Sequence, residues 1–485
     1  KKMAKVHLIY FDLHTGYYPD FHHGLAYLIG SLQTEKHSVF LTHLKNESDY
    51  SHAIELVKRE KPDAIGLSFT TNQKQYLRRF LDIADFSDML IIGGGVHCTL
   101  IKEEIFAEFP EIDGICIGDG EASLKELCRR LDNNEDYFNT PGFYFKTEKG
   151  IIKNPILPLQ NIESVPLPDY ALFDYKKIIR ESGDRFTMIL SRGCPYGCYY
   201  CSNHALREAY PNKDKYVRLC PPDHAIKIIK NNLSLYPQTK KILFCDDTFT
   251  LDKKWLFDFC NLYRREINLP FFCNARIENI DDSVAECLKD AGCASVQFGV
   301  ESGNEWLRAH ILNRKHSNEK IKKAFVILKK RKIKTFAYNI LGLPFETKEM
   351  QKDTLNLNFE LWSNMGGGYY FYPYPKTRLY QLCLDYNLLP DKPDSKSGYL
   401  EGPCLKEIFI SHKETIENFQ ILQLFFYSRL IFSKIKAPMM IEKLLFKMAV
   451  LLRKPIFFFC NPTGKNRIVV IMVNAMRKLG LRYLR

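Results

Sequence analysis

Short apolar segments alternate with helical stretches over the first 131 residues of the chain. The apolar segments predict five β-strands, at residues 5–10, 38–44, 64–68, 89–93 and 114–117. Helical stretches follow them at residues 24–35, 50–61, 74–86, 99–109 and 122–131. Five β/α repeats of this length predict a doubly wound, Rossmann-like parallel sheet, whose ligands bind at the carboxyl ends of the strands.

A second alternation of strands and helices occupies the middle of the chain. Its predicted strands cover residues 187–191, 241–245, 271–275, 295–299, 334–339 and 367–372, with helices between them, for example at 253–267 and 318–330. Six β/α units predict an open, partial (β/α)6 barrel. Its most distinctive residues come directly after the strands, where barrel enzymes keep their sites.

The two α/β regions and their flanks predict four segments. We expect a first domain at residues 1–135, a linker at 136–183, a partial barrel at 184–385 and a mostly helical, basic region at 386–485. Pro166 and Pro168 favour an extended linker because proline is excluded from a helix interior. The fold class is therefore α/β with a helical C-terminal region.

Composition and charge indicate the cellular compartment of the protein and its classes of partner. The 15 cysteines lie mostly singly on apolar segments, which is typical of a reducing compartment, and no signal peptide is recognisable, so we expect a cytoplasmic protein. The net charge is +13, of which +11 falls within residues 413–485. Basic and apolar residues are mixed there, and we expect no nucleic-acid partner. An amphipathic stretch at 436–454 favours either peripheral contact with an anionic membrane or helices that cap the barrel.

Three cysteines after the first barrel strand carry the clearest chemical signal. Cys194, Cys198 and Cys201 are separated by three and two residues, within turns that the neighbouring glycines and proline permit. Three thiolates leave one iron of a four-iron cluster without a protein ligand, and a chelating amino acid can fill that position. The alternative is a zinc knuckle, for which His204 offers a fourth ligand. Cys383, Cys404 and Cys460 are too scattered to indicate a second cluster.

This loop, with Tyr200 just before the last cysteine, resembles the signature of the radical S-adenosylmethionine (SAM) enzymes. The resemblance implies a 4Fe-4S cluster that reductively cleaves SAM to a 5′-deoxyadenosyl radical, which abstracts hydrogen from an unactivated carbon. Residues 299–303 match the family's G-x-E-S-G motif. The resemblance implies that SAM is bound by Tyr200, Asp246, Asp247, Glu301, Ser302, Asn339 and Gly342. For Asp247, capping of the following helical turn is an equal alternative.

Glycine-rich loops follow the third, fourth and fifth strands of the first domain. Together with residues 24–28 they resemble the cobalamin-binding domain that precedes many radical SAM domains, although a generic flavodoxin-like module shares such turns. The resemblance implies that cobalamin is bound by Ser68, Thr70, Thr71, Gly94, Gly95, His97, Gly118 and Glu121. His14 lies one residue short of the spacing in cobalt-ligating D-x-H-x-x-G motifs, so it is either a cobalt ligand or a loop histidine.

The combined resemblance implies a cobalamin-dependent radical SAM enzyme, most simply a C-methyltransferase, with the upper face of cobalamin towards the barrel mouth. Two alternatives stay open: a cyclase, ring-rearranging or C–C coupling enzyme acting without methyl transfer, and a non-catalytic corrinoid sensor or carrier. We expect a small-molecule or lipid-like substrate and a low-potential electron donor such as flavodoxin or ferredoxin. The sequence identifies no catalytic side chain.

Overall fold

Two parallel sheets organise the molecule, and each is flanked by helices. The computed structural model describes residues 3–13, 22–391, 399, 401–435 and 439–451. Both sheets match the predicted α/β architecture, which is confirmed. His14 and Cys460 lie outside the described residues, as do residues 436–438 and 452–454 of the predicted amphipathic stretch.

Within these residues, the first sheet has seven strands in the order β2-β1-β3-β4-β5-β6-β7. The strands are β1 Lys5–Phe11, β2 Ser38–Leu44, β3 Ala64–Ser68, β4 Leu90–Gly94, β5 Gly114–Cys116, β6 Phe143–Thr147 and β7 Gly150–Lys153. The helices of this region are α1 His23–Thr34, α2 Tyr50–Glu60, α3 Lys74–Leu81, α4 Val96–Ile101, α5 Ile105–Glu108 and α6 Glu121–Asp132. Strands β1 to β5 are parallel, in the flavodoxin-like order that places a ligand at the switch point between β1 and β3.

The second sheet has six parallel strands among the described residues, in the order β8-β11-β12-β13-β14-β15, and forms the partial barrel. Its strands, with the short antiparallel pair β9 and β10, are β8 Arg185–Met188, β9 Ser191–Arg192, β10 Arg218–Leu219, β11 Lys241–Phe244, β12 Phe271–Ala275, β13 Cys293–Glu301, β14 Lys334–Leu341 and β15 Met365–Tyr370. The helices are α7 Tyr175–Glu181, α8 Asn203–Arg207, α9 Pro222–Leu235, α10 Lys253–Glu266, α11 Asp282–Asp290, α12 Asn318–Lys330, α13 Lys348–Leu361, α14 Arg378–Asp385, α15 His412–Ile435 and α16 Met439–Leu451.

Helix α15 covers the edge strand β15. The rings of Phe419 and Tyr370 stack with their centroids 4.3 Å apart, and Gly366 leaves room for the ring of Phe426. An edge covered in this way is protected from pairing with another chain. No described helix combines the length and apolar character needed to cross a bilayer.

Part of the predicted linker belongs to the first sheet instead. Residues 143–153 form the antiparallel hairpin β6–β7, which pairs with β5 through residues 143–145 and buries both Phe143 and Phe145. The extended strap that follows lies against α1. The amide of Asp169 donates to the carbonyl of Ala26 at 2.9 Å, and a Cβ on Gly30 would lie only 2.0 Å from the carbonyl oxygen of Leu167.

Candidate active site

A cavity of about 370 Å³ lies between the carboxyl edge of the first sheet and the mouth of the partial barrel. The first domain supplies the loops after β3, β4 and β5 and the start of α1. The barrel supplies residues 189–193, apart from Leu190, together with Cys245 and Asp247. The carboxyl edge of the first sheet therefore faces the barrel mouth, as expected, and Asp247 of the predicted SAM site borders the same space as the predicted cobalamin residues.

The glycines after β4 leave the wall of this cavity without side chains. A Cβ on Gly94 would meet no atom within 4 Å, so the backbone there borders open space. Gly95 has a φ of +98°, and a Cβ at this position would lie 2.9 Å from the carbonyl oxygen of Phe69. Glycine is thus required at Gly95 by conformation and leaves room at Gly94 for a large flat ligand. The residues present fit a corrinoid.

Five of the predicted cobalamin residues line the cavity: Ser68, Gly94, Gly95, Gly118 and Glu121. The other three, Thr70, Thr71 and His97, are not among its lining residues in the described chain. The hydroxyl of Thr71 lies 3.0 Å from Nδ1 of His97, whose Nε2 lies 3.1 Å from Glu108. Since these hydrogen bonds hold the loops after β3 and β4 together, a direct cobalamin contact of Thr70, Thr71 or His97 stays a prediction.

Several residues of the cavity wall carry no motif that the sequence reveals, and His22 is one of them. Nδ1 of His22 accepts a hydrogen bond from the amide of Leu25 at 3.1 Å and so caps α1. Burial lowers the pKa of His22 to about 4, so the ring is neutral at pH 7. Histidine is an unusual N-cap, which is why the sequence placed the helix start one residue late and left His22 unassigned.

Arg192 joins the two domains beside the cluster loop, residues 194–201, which carries the three predicted cluster ligands. Its Nη1 donates to Asp119 at 3.0 Å and its Nη2 to Glu121 at 2.5 Å, while the guanidinium lies 4.7 Å from the ring centroid of Tyr27. Asp119 also accepts from Arg218 at 2.8 Å. Burial by itself would raise the pKa of Asp119, but the two arginines hold it below its ordinary value. The corrinoid-side loop after β5 is thereby fixed to the strand that leads into Cys194.

The three predicted cluster ligands lie on one loop beside the cavity. Cys198 is buried, and Cys194 and Cys201 are half-buried. Burial raises the pKa of Cys201 to about 11, so its thiol is protonated until a metal displaces the proton. Within the described residues, no three His, Cys, Asp or Glu side chains converge as ligands of a single metal ion do. The donor set, three thiols on a turning loop, fits a cluster that takes one thiolate at each of three irons.

A zinc knuckle at these three cysteines would need His204 as its fourth ligand. Nε2 of His204 accepts a hydrogen bond from the amide of Arg378 at 3.2 Å, at the start of α14. The histidine is therefore engaged in holding α14 to the cluster loop.

Tyr200 and Glu301, predicted separately, meet in one buried group. The hydroxyl of Tyr200 donates to Oε1 of Glu301 at 2.7 Å, and Nη1 of Arg314 donates to both oxygens at 3.1 Å. Glu301 has a φ of +64° at a register shift of β13 after Gly299. A left-handed backbone in a non-glycine residue within a strand is costly, and strained conformations of this kind cluster at functional sites. Arg314, which no motif marks, completes this group.

The two predicted carboxylates after β11 differ in role. Oδ1 of Asp246 accepts from the amide of Leu190 at 2.9 Å and from the hydroxyl of Ser191 at 2.5 Å, and burial raises the pKa of Asp246 to about 7. Asp247 lines the cavity and accepts from Asn203 at 3.2 Å. Helix α10 is capped by Asp252 rather than by Asp247. Asp247 therefore faces the cavity, and Asp246 orients the strand that leads to the cluster loop.

Ser302, Asn339 and Gly342 lie where β13 and β14 meet α13. The buried hydroxyl of Ser302 is 3.3 Å from that of Thr354, and Oδ1 of the buried Asn339 accepts a hydrogen bond from Nδ2 of Asn358 at 2.7 Å. The amide of Gly342 donates to Glu346 at 2.6 Å. These groups are engaged within the fold, so their predicted contact with SAM stays a prediction.

Comparison with known proteins matches both halves of this arrangement. A model of the radical SAM superfamily matches residues 188–357, and a model of the B12 binding domain matches residues 16–128. An uncharacterized methyltransferase of Pyrococcus horikoshii is 28% identical over 377 residues, which cover 76% of this chain and 79% of the relative. The anaerobic magnesium-protoporphyrin IX monomethyl ester cyclase of Rubrivivax gelatinosus is 24% identical over 424 residues, which cover 82% of this chain and 74% of the cyclase.

Solved structures share the architecture. The cobalamin-dependent S-adenosylmethionine radical enzyme OxsB, with aqua-cobalamin and S-adenosylmethionine bound, aligns with a TM-score of 0.67 at 17% identity and covers 99% of this chain and 76% of OxsB. The methyltransferase TsrM from Kitasatospora setae aligns with a TM-score of 0.63 at 17% identity, over 78% of this chain and 75% of TsrM. The cofactors of the family are a 4Fe-4S cluster, SAM and cobalamin. The chain belongs to the radical SAM enzymes that carry a cobalamin-binding domain ahead of the catalytic barrel.

Proposed function

We propose that the protein is a cobalamin-dependent radical SAM methyltransferase that methylates an unactivated carbon of a small organic substrate. The observation that carries this proposal is the single cavity shared by the glycine loops of the first sheet and the barrel mouth. A methyl group held on one side of such a space is close to a substrate held on the other side.

Different residues would bind the three cofactors. Cys194, Cys198 and Cys201 would hold the cluster, and Asp247 with the Tyr200–Glu301 pair would orient SAM. Gly94, Gly95 and the other cavity-lining residues of the first sheet would hold cobalamin. When bound, the cluster and SAM supply a carbon-centred radical and cobalamin supplies the methyl group, while the protein supplies position and excludes water.

A cyclase that uses the same cofactors without methyl transfer is the second candidate. The likeness to the Rubrivivax gelatinosus cyclase over 82% of this chain favours it. The SAM-derived products separate the two functions. S-adenosylhomocysteine together with 5′-deoxyadenosine indicates methylation, whereas 5′-deoxyadenosine alone indicates the cyclase-type reaction. If the reduced protein cleaves no SAM, the corrinoid carrier is the better description.

The test is anaerobic reconstitution with iron, sulfide and cobalamin, followed by mass spectrometry of the SAM products and of co-purified small molecules. We expect Cys198→Ala to lose cluster iron and SAM cleavage while retaining cobalamin. Cys287→Ser, on the half-exposed face of α11, is the matched control and should retain all three. Four irons retained by Cys198→Ala would contradict the assignment.

The remaining partners follow from the same chemistry. A cluster of this kind needs a low-potential one-electron donor, and we assign a flavodoxin- or ferredoxin-like protein to that role in the cytoplasm. The substrate would be a small or lipid-like molecule, because the proposed reaction methylates an unactivated carbon.

Helix α16 would place the protein at an anionic membrane surface. Met440 and Leu444 are 81% and 60% exposed, and Ile441 and Met448 are exposed on the same side of the helix. Residues 413–485 carry a net charge of +11, which complements anionic lipid. The full chain should sediment with vesicles containing phosphatidylglycerol but not with purely zwitterionic ones. Leu444→Glu should abolish sedimentation, while Val326→Glu, at an exposed position of α12, should not; equal binding of both variants would contradict the proposal.

A further inference from the structure

Arg276 contacts one of the three cluster cysteines. It follows β12 directly, at the carboxyl end of the third barrel strand, and is only 8% exposed. Its Nη1 donates to Sγ of Cys198 at 3.2 Å. The guanidinium lies over the ring of Tyr196, 3.8 Å from the ring centroid. A buried cation is therefore held against a sulfur that the cluster would share.

A second set of contacts fixes this guanidinium. Nη2 of Arg276 donates to Oε1 of Glu278 at 2.7 Å, and Nε donates to Oε2 at 3.3 Å. Nδ1 of His316 lies 3.1 Å from the same carboxylate. Because both carboxylate oxygens of Glu278 hold the Nε–Nη2 edge of the planar group, Nη1 has little freedom to turn away from Cys198.

The other two cysteines have weaker polar neighbours. Sγ of Cys194 is 4.0 Å from the hydroxyl of Thr248, and Sγ of Cys201 is 3.6 Å from Nδ2 of Asn203. Both neighbours are neutral. Among the side-chain hydrogen-bond contacts of these three sulfurs within the described residues, the one to Cys198 is the shortest and is made by a cation.

We propose that Arg276 sets the reduction potential of the cluster, acting through the sulfur of Cys198. This inference rests on the proposed function, because it requires that Cys198 be a cluster ligand. Reduction adds one electron to the cluster, taken from a one-electron donor that is oxidised in turn, and no proton moves. A nearby positive charge and an N–H···S hydrogen bond stabilise the more negative state, so they make the potential less negative.

Redox titration of the anaerobically reconstituted protein, followed by electron paramagnetic resonance of the reduced cluster, tests the proposal. In Arg276→Gln, the reduced-to-oxidised ratio at a fixed solution potential should fall about tenfold, which for one electron is a shift of about 59 mV to more negative values. Glu278→Gln removes the countercharge of Arg276. The reduction potential of the cluster in this variant should therefore move to less negative values. If Arg276 and Glu278 had only a structural role, their substitutions would not be expected to shift the reduction potential in opposite directions.

Tyr196→Phe is the matched control, since it keeps the ring beneath Arg276 and removes a hydroxyl that is bonded to Asn279. Its potential should equal that of the unaltered protein. An unshifted potential in Arg276→Gln would overturn the proposal. Loss of iron from both Arg276→Gln and Arg276→Lys would also overturn it, in favour of a structural role. Lack of a cluster in the unaltered protein would instead contradict the proposed function itself.

Discussion

At the scale of single residues, Gly94 shows how an absent side chain can define a binding surface. Because a Cβ there meets nothing within 4 Å, a larger residue is accommodated by the fold and extends into the space proposed for cobalamin. We expect Gly94→Leu to leave the thermal midpoint of the apoprotein unchanged within about 2 °C. Its affinity for hydroxocobalamin, followed by absorbance, should fall at least tenfold, which is about 1.4 kcal/mol.

The size of the substituted side chain provides the internal control for this prediction. Gly94→Ala adds a single methyl group to the same open space and should reduce affinity less than Gly94→Leu does. If Gly94→Leu binds cobalamin as tightly as the unaltered protein, the corrinoid does not lie against the loop after β4.

Asp246 gives the folded protein a pH-dependent stability. Its pKa is raised to about 7 by burial, whereas an unfolded aspartate has a pKa of about 3.9. Below pH 4 Asp246 is protonated in both the folded and the unfolded protein, and its contribution to stability is fully present. As the pH rises from 4 to 7 the unfolded chain ionises first, so stability falls by up to about 1.4 kcal/mol per pH unit, and the loss ends above pH 7.

Asp246→Asn cannot ionise and should lack this slope. Urea denaturation of both apoproteins between pH 4.5 and 7.5 should show the unaltered protein losing stability relative to the variant as the pH rises. Glu346, whose pKa burial also raises to about 7, is present in both proteins and cancels in the comparison. Parallel stability curves would show that Asp246 is ionised in the fold.

Motifs in the sequence identified some site residues and could not identify others. Tyr200 and Glu301 were predicted from local patterns, and the structure brings them within 2.7 Å of each other. Arg276 was not predicted, since it reaches the site through a contact with Cys198, 78 positions earlier. Arg314 was not predicted either, since it contacts Glu301 from 13 positions away and Tyr200 from 114 positions away, and no motif marks it. Arginine is common on protein surfaces, so burial alone distinguishes these two, and burial is a property of the fold.

At the scale of elements, Gly303 explains the last position of the G-x-E-S-G motif. It follows β13, and a Cβ there would lie 2.1 Å from the carbonyl oxygen of Asp353 on α13. The strand end and the helix can approach only if this residue has no side chain. We expect Gly303→Ala to cost roughly 1–3 kcal/mol of stability, measured by urea denaturation.

Gly94→Ala is the matched control for Gly303→Ala, because the same methyl group is added where space is open. It should change the free energy of unfolding by less than about 0.5 kcal/mol. Equal effects of the two substitutions would contradict the packing argument and leave a ligand-binding role for Gly303.

Predicted and observed elements agree best where apolar runs are short and bounded. Strands β2, β3 and β12 have the predicted limits. The predicted helix at 99–109 is instead interrupted at Lys102, whose φ of +51° separates α4 from the turn before α5. The sequence predicts a linker where the structure has the hairpin β6–β7. Its strands are stabilised by long-range pairing with β5, which a local pattern does not reveal.

At the scale of the whole molecule, the relation between the two domains depends on charges that the sequence places far apart. Arg192 precedes the cluster loop, whereas Asp119 and Glu121 follow β5, more than 70 positions earlier. The sequence predicted that the two sites face each other from the chemistry of the cofactors. It could not predict the ion pairs, because charged residues are frequent and their partners are chosen by the packing of the domains.

Arg192→Gln tests whether these ion pairs hold the domains together. Glu121 is buried and would lose its cationic partner, so we expect a loss of roughly 2–3 kcal/mol and faster hydrogen exchange in both 118–121 and 191–194. The double variant Arg192→Gln/Glu121→Gln leaves no unpaired charge at Glu121 and should recover part of the stability. Lys253→Gln, which breaks an exposed pair with Asp281, is the control and should cost less than about 1 kcal/mol. If hydrogen exchange increased in only one of the two segments, the ion pairs would not couple the domains, and the shared cavity would depend on the linker strap instead.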